Sequence, residues 1–168
     1  MLAQTAGPRR ALGDTTSLAR LPDSIQMLSA QSGYGRDRRL HHYVRGLLLA
    51  SRGDDAGAIA ELKASIYSVN LGYTRANYEL AQIYLRDKRP RDAIAILQPV
   101  LRGTLEASNL YLNRADVHEL LAQAWDAAGV RDSAAAHLAW LVRAWANADP
   151  WLAGRANAAR LKLATLRR

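Results

Sequence analysis

One spacing recurs three times along the chain: a small residue is followed, twelve positions later, by a second small residue. The pairs are Gly46 with Ala58, Ala81 with Ala93, and Ala122 with Ala134. This step leaves room for a helix to end, a tight turn to form and a second helix to run back beside the first. Where two helices cross closely, only Gly or Ala fits at the crossing point. The recurrence therefore predicts a row of helical hairpins.

Bulky apolar residues and turn residues agree with these hairpins. Gly53 and Gly129 are expected to take the left-handed conformation that ends a helix. Asp54 or Asp55, and Asp132, are expected as N-caps, and Pro90 suits a first helical turn. Large side chains recur three or four positions from the small ones and are expected to fill the space between hairpins: Leu49, Tyr84 and Trp125 on the first helices, and Leu62, Leu97 and Leu138 on the second.

The pattern resembles the tetratricopeptide repeat (TPR), in which small residues occupy these positions and bulky residues surround them. The resemblance covers about 39–148, with repeats expected at 39–72, 74–107 and 115–148. The chain departs from the family pattern at His42, where an aromatic residue or Leu is usual, and at Lys88, where Gly is common. No copy ends in the expected Pro. The resemblance implies a right-handed α-solenoid that binds a partner.

A wider similarity joins four segments: 32–50, 77–85, 118–129 and 145–152. They look like the C-terminal helical repeat tails of bacterial serine/threonine kinases and multidomain transcription regulators. The sequence has no glycine-rich loop followed by Lys, and no stretch like HRD or DFG. The similarity implies a sensing or partner-docking solenoid without the kinase domain.

The flanks complete an all-α architecture of about three TPR-like hairpins between two capping helices, eight helices in all. Residues 1–13 are expected to be a disordered arm. A helix is expected at 14–31, where Pro22 either kinks it or marks its regular start, and another at 150–166; both would cap the solenoid. The step between small residues lengthens from 35 to 41 after the second copy, so an extra segment lies within 102–113. Gly103 is expected to end a helix and Asn113 to cap the next, while an apolar group tucks the segment onto the solenoid: Leu105, Leu110, Tyr111 and Leu112.

The formal charge of +8 is concentrated at the two ends of the chain. Residues 1–53 and 150–168 each carry +5, whereas 54–149 carry −2. Nucleic-acid binding is disfavoured, because the part that holds the repeats is slightly acidic and its aromatic residues do not alternate with a basic stripe. The basic ends leave open a peripheral contact with a membrane surface.

Residue types that carry catalysis or bind metals are scarce. The chain has no Cys, and its four His lack the spacing of metal ligands. His41 and His42 are neighbours on a helix and point about 100° apart. Asp116, His118 and Glu119 fall in the first turns of one helix, where acids favour the helix dipole without any chemistry. We therefore expect no enzymatic activity, no cofactor and no metal.

No apolar run reaches the 18 or so residues of a membrane span, and the N-terminus lacks the apolar core of a signal peptide. The chain is therefore expected to be cytoplasmic, and peripheral to a membrane only as part of a complex.

The expected function is recognition of another protein or peptide in a concave groove lined by the first helix of each hairpin. The groove positions are Tyr43, Leu47, Arg75, Tyr78, Gln82, Arg86, Glu119, Gln123 and Asp126. Trp125 and Trp145 are expected in the core. Trp140 lies off the buried stripe of its helix and either packs on the capping helix or forms, with Arg143 and Trp151, a partly exposed docking patch. The alternative function is an accessory subunit of a larger, membrane-associated complex, held through the basic ends and exposed Trp.

Overall fold

The computed structural model describes residues 2–35, 37–66, 74–102 and 112–168. In these ranges the chain is helical and contains no strand, which confirms the all-α prediction. Short 3-10 turns lie at Leu2–Thr5, Asp37–Arg39, Gln98–Arg102 and Pro150–Leu152. The α-helices of the described residues are α1 (Ala6–Ala11), α2 (Thr15–Ser29), α3 (Leu40–Ser51), α4 (Asp55–Ser65), α5 (Thr74–Arg86), α6 (Pro90–Leu97), α7 (Arg114–Ala127), α8 (Arg131–Ala144) and α9 (Ala153–Leu166).

The three predicted hairpins are α3 with α4, α5 with α6, and α7 with α8. Every small residue of the recurring pattern is buried, and four of them have no exposed surface: Ala58, Ala81, Ala93 and Ala134. Gly46 shows why the first position must be small. A Cβ atom there would lie 2.6 Å from Cγ of Leu62 on the neighbouring helix. The hairpins close through these contacts, as the spacing predicts.

The turns within the hairpins use the expected left-handed residue. Gly53 has φ 80° and Gly129 has φ 76°. In the second hairpin, where the sequence departs from the family pattern, Lys88 adopts the same conformation, with φ 58°. A residue with a Cβ atom is strained there by about 1–2 kcal/mol. The hairpin geometry thus holds even where the favoured residue is missing.

Side-chain hydrogen bonds cap the starts of α2, α4 and α7. Asp54 accepts a bond from the Gly57 amide at 2.9 Å, and Pro90 opens α6. Asn113 and Asp116 form a reciprocal capping box at the start of α7, which confirms the predicted Asn113 cap. The prediction for Asp132 is wrong. Val130 is the N-cap of α8 and makes no side-chain bond, while Asp132 lies inside the first turn, where it favours the helix dipole.

The prediction that residues 1–13 form a disordered arm is wrong for residues 2–13, the part that the structure describes. Leu2–Thr5 and α1 are helical, with Ala3 and Ala6 buried. Gly13 has φ 71°, and the Asp14 carboxylate caps α2 by accepting from the Ser17 amide at 3.0 Å.

The N-terminal helices therefore form a further hairpin. Ala6 precedes Gly13 by seven residues, as Gly46 precedes Gly53. Twelve positions after Ala6, where the other hairpins have Ala, this hairpin has Leu18, so the recurring pattern did not predict it. Pro22 lies buried inside α2.

At the C-terminus, the expected helix 150–166 begins as the 3-10 turn Pro150–Leu152 and continues as α9. Ala156, Ala159 and Leu163 of α9 pack against Leu138, Leu141 and Trp145, which caps the third hairpin. A larger core cluster runs from α1 to α7.

Part of the segment expected between the second and third copies lies outside the described residues, namely Gly103, Leu105, Leu110 and Tyr111. Leu112 is buried, as expected of this segment. The exact ends of the three repeats stay predictions.

Candidate interaction groove

A cavity of about 310 Å³ opens where α1, α3 and α5 meet. Small and aromatic residues supply most of its wall, and one base and one acid supply the charge. It is lined by Gly7, Pro8 and Ala11 of α1, Tyr43 of α3, Arg75, Tyr78 and Glu79 of α5, and Leu112. We call this cavity the groove pocket. Three of its residues were predicted as groove positions, whereas the contribution of α1 and of Glu79 was missed.

Tyr43 forms the floor of the groove pocket. The residue is 6% exposed, and the Arg75 guanidinium carbon lies 5.7 Å from its ring centroid. Burial, assisted by the negative charge of Glu79, raises the pKa of Tyr43 above its ordinary value. Leu47, one turn further along α3, is completely buried. The prediction that Leu47 lines an accessible groove is therefore wrong, because the side chain belongs to the core.

Tyr78 is the accessible aromatic residue of the groove pocket. It is half-buried, and burial raises its pKa to about 12, with further increases from Asp116 and Glu119. These two carboxylates belong to α7, so Tyr78 stands between the second and third hairpins. Its position joins the groove pocket to the surface of α7.

The acidic residues of α5 and α7 all bond to bases from the two terminal helices. Arg10 of α1 forms an ion pair with Glu79. Arg155 of α9 bonds Asp116 at 2.7 Å and Glu119 at 2.5 Å, and the bond to Glu119 is the main cause that raises the pKa of Arg155. Lys162 of α9 bonds Asp126 at 2.6 Å.

These ion pairs give three bases of the chain ends a structural role, because each one neutralises a carboxylate of α5 or α7. The terminal helices neutralise the concave carboxylates, so Arg10, Arg155 and Lys162 serve the fold itself. The predicted acidic section of the groove, Glu119 and Asp126, is therefore engaged within the chain.

The remaining groove positions differ in accessibility. Gln82 is half-buried and Gln123 is exposed. The Arg86 guanidinium donates to Asp55 of α4 at 2.6 Å, so this residue links the first and second hairpins. Beside Gln123 lies a smaller depression of about 160 Å³ between α7, α8 and α9, which the Lys162–Asp126 pair borders.

The Trp residues divide between core and surface. Trp145 is buried and Trp125 is half-buried against the main core, as expected. Trp151 is 74% exposed. Trp140 is half-buried and lies flat on the His118 ring, with centroids 4.0 Å apart and planes 7° from parallel. One face of the Trp140 ring is thus covered from within the chain. Arg143 is exposed, and the role of both residues in partner binding stays a prediction.

His118 and His137 link α7 to α8. Their Nδ1 atoms are 2.8 Å apart, so one ring donates a hydrogen bond that the other accepts. Burial lowers the pKa of His118 to about 4, with further decreases from His137 and Arg114. Burial also lowers the pKa of His137. Within the described ranges no group of three or more His, Cys, Asp or Glu residues is placed to hold a metal ion.

Two solved structures of a putative kinesin light chain with nearly identical TPR-like repeats, from Podosopora anserina, share this architecture. One is the protein itself and the other is a point variant. Each is 16% identical to this chain, with a TM-score of 0.69 over 98% of this chain, and the match covers 83% and 82% of their own chains, respectively. The chain has the fold of the TPR-like repeat solenoids. The predicted resemblance to TPR proteins is thereby confirmed at the level of fold.

No family model and no curated protein matches the chain. The resemblance to kinase and regulator tails stays a prediction. No helix among the described residues is long and apolar enough to cross a membrane.

The His118–His137 pair is expected to make the TPR-like fold less stable in mild acid. Because the pKa of both rings is lowered on folding, the unfolded chain binds more protons below the ordinary His value of 6.5. Stability should therefore fall as pH drops from about 6.5 towards about 4, with a loss of about 1–2 kcal/mol by pH 5. Urea unfolding at pH 7.5 and pH 5 measures this change.

A His118→Gln/His137→Gln variant serves as the control for that measurement. The pKa of His41 is also lowered by burial, so the variant isolates the contribution of the pair. If the variant loses as much stability between the two pH values as the wild type, the pair is not the cause.

Proposed function

We propose that the chain is a non-enzymatic interaction module that binds a segment of a partner protein in its concave groove. The observation that carries this proposal is the groove pocket, whose volume of about 310 Å³ lies in the range of ligand-binding cavities. TPR-like repeats give the chain an extended concave surface, and the pocket gives that surface a place where a side chain is recognised.

The lining of the groove pocket suits a protein segment. Tyr and Arg are the residue types that most often dominate binding energy at protein interfaces, because they bury much surface and still form hydrogen bonds. Tyr78 lines the pocket and is half-buried, and Arg75 lies beside Tyr43. Gln82 and Gln123 extend the surface with amide groups that are able to bond an extended backbone.

Replacing Tyr78 by Ala is expected to weaken capture of the native partner roughly tenfold or more, since a central aromatic contact at an interface contributes about 2 kcal/mol. Far-ultraviolet circular dichroism should stay helical, because the Tyr78 side chain is only half-buried. The measurement is a quantitative pull-down from the native cell, with bound proteins identified and compared between variants.

Tyr34→Ala is the matched control. It removes the same side chain from the turn after α2, where Tyr34 is 74% exposed and far along the chain from the groove pocket. The proposal fails if Tyr78→Ala retains the full set of bound proteins, or if both Tyr variants lose them equally.

A further inference from the structure

The depression of about 160 Å³ beside Gln123 is a second recess, and it lies between α7, α8 and α9. We call it the α9 pocket. Its lining has two parts. The buried part is apolar and consists of Ala122, Leu138, Leu141 and Ala159. The more accessible part carries the polar groups and consists of Glu119, Gln123, Asp126, Ala158 and Lys162.

α9 packs on the third hairpin in the register of a first helix. Its buried residues Ala156, Ala159 and Leu163, separated by steps of three and four, contact the hairpin before them. α7 contacts the earlier hairpins through a buried series with the same steps: Val117, Leu120 and Ala124. The two helices therefore turn equivalent faces toward the preceding hairpin, and their positions correspond one by one.

This register shows which side chain α9 lacks. Ala158 corresponds to Glu119 of α7, since each lies two residues after the first residue of its buried series. Glu119 in turn corresponds to Tyr78 of α5 and Tyr43 of α3, because all three lie three residues before the small residue of their hairpin. The two Tyr rings line the groove pocket. Ala158 has a single side-chain carbon, so the space of a larger side chain is left open in the α9 pocket.

The charges around the α9 pocket are already compensated. Glu119 bonds Arg155 at 2.5 Å, and Asp126 bonds Lys162 at 2.6 Å. A charged side chain that entered the pocket would lose its hydration and find no opposite charge that lacks a partner. The occupant that fits is therefore uncharged.

The volume of the α9 pocket sets the size of the occupant. A cavity of roughly 150 Å³ lined by Leu, Ile and Phe takes up benzene. The α9 pocket, at about 160 Å³ with Leu138 and Leu141 in its lining, is thus large enough for a Leu or Phe side chain. Gln123 is exposed beside it, and its amide suits the backbone of the segment that brings this side chain.

The α9 pocket adjoins the groove pocket through α7. Glu119 lines the α9 pocket. The negative charges of Asp116 and Glu119 contribute to the raised pKa of Tyr78, so Glu119 and Tyr78 are near neighbours on adjacent first helices. A segment that contacts Tyr78 and continues across α7 therefore meets the α9 pocket next.

We propose that the α9 pocket is a second recognition site of the concave groove, and that it takes an uncharged, apolar side chain of the size of Leu or Phe from the partner segment. This inference rests on the proposed function. It adds the chemistry of the partner: an apolar residue fills the space that Ala158 leaves open.

The α9 pocket is tested first with the side chain alone. N-acetyl-leucine amide is titrated into the isotope-labelled full chain, and the backbone amides are followed by NMR. We expect saturable shifts at Ala122, Gln123 and Ala159, with an affinity in roughly the millimolar range for a ligand of this size. N-acetyl-alanine amide buries fewer carbon atoms and N-acetyl-glutamate amide is charged, so both should bind at least about tenfold more weakly.

Ala158→Tyr is the variant that closes the α9 pocket. It gives α9 the residue type that α5 has at Tyr78, so the chain fills its own pocket and the shifts with N-acetyl-leucine amide should be lost. Ala158 is exposed, so the fold should be retained. Ala158→Leu, with a smaller side chain, carries the same expectation if the Tyr variant does not fold.

Ala164→Tyr is the matched control. Ala164 is exposed on the same helix and lines neither the α9 pocket nor the groove pocket. This variant should bind N-acetyl-leucine amide as the wild type does.

The same variants connect the α9 pocket to the partner. In the pull-down from the native cell, Ala158→Tyr should weaken capture of the proteins that depend on Tyr78 by about tenfold, as expected for the loss of one buried contact. Ala164→Tyr should leave their capture unchanged.

The inference is overturned if N-acetyl-leucine amide causes no saturable shifts at the α9 pocket, if Ala158→Tyr leaves these shifts unchanged, or if the glutamate amide binds as well as the leucine amide. It is also overturned if Ala158→Tyr retains full capture of proteins that Tyr78→Ala loses. Each of these results leaves the Tyr78-dependent capture of a partner, and hence the proposed function, standing.

Discussion

Replacing Leu80 by Ala is expected to lower the free energy of unfolding by about 2–5 kcal/mol. Leu80 has no exposed surface and lies in the main core cluster, next to the small residue Ala81 at which α5 meets α6. Removing three carbon atoms there loses the transfer free energy of the side chain and leaves a cavity that the packed hairpins fill only in part. Urea or thermal unfolding, followed by circular dichroism, measures the loss.

Leu161→Ala is the matched control for this substitution. Leu161 also lies on a helix, but it is 71% exposed, so its removal should change stability by less than about 0.5 kcal/mol. Equal losses in the two variants would contradict the position of the core that the hairpins define.

Replacing Gly46 by Ala is expected to destabilise the protein by about 1–3 kcal/mol, although Ala is the better helix former. The added Cβ atom would lie 2.6 Å from Cγ and 2.9 Å from Cδ2 of Leu62, and 3.2 Å from the Leu62 backbone nitrogen. Leu62 is completely buried, so either its side chain repacks within the core or α3 and α4 separate, and both cost stability. Unfolding in urea measures the difference from wild type.

Gly154→Ala is the matched control, and it is expected to raise the stability of the protein. Gly154 lies in α9, and no atom outside its own helix lies within 4 Å of the position of an added Cβ. Only helix propensity changes there, so the variant should be more stable by up to about 1 kcal/mol. A gain in stability at both glycines would show that Gly46 is not a crossing point.

The two terminal helices change the charge of the surface that α5 and α7 would present alone. Without them, α5 and α7 would expose four carboxylates, Glu79, Asp116, Glu119 and Asp126. With them, the carboxylates are neutralised, and the groove pocket offers two Tyr rings.

The features that the sequence determined by itself are local ones. The spacing of Gly46 and Ala58, repeated twice more, was enough to predict the hairpins, since a helical hairpin is closed by residues close together in the chain. The sequence also predicted the residue that ends a helix, Gly53, and two residues that cap the next helices, Asp54 and Asn113. Where the pattern lacked its usual residue, at Leu18, the N-terminal hairpin of α1 and α2 was missed.

Only the tertiary structure decided which face of each helix is accessible and which charges are engaged. Tyr43 and Leu47 satisfy the same periodicity as Tyr78, yet the first two are buried because α1 and α2 pack against α3. Arg10 and Glu79 are 69 positions apart, and Arg155 reaches Glu119 across 36. Periodicity describes the face of one helix, whereas such contacts depend on how the hairpins stack, so the groove pocket is formed only when the whole chain is folded.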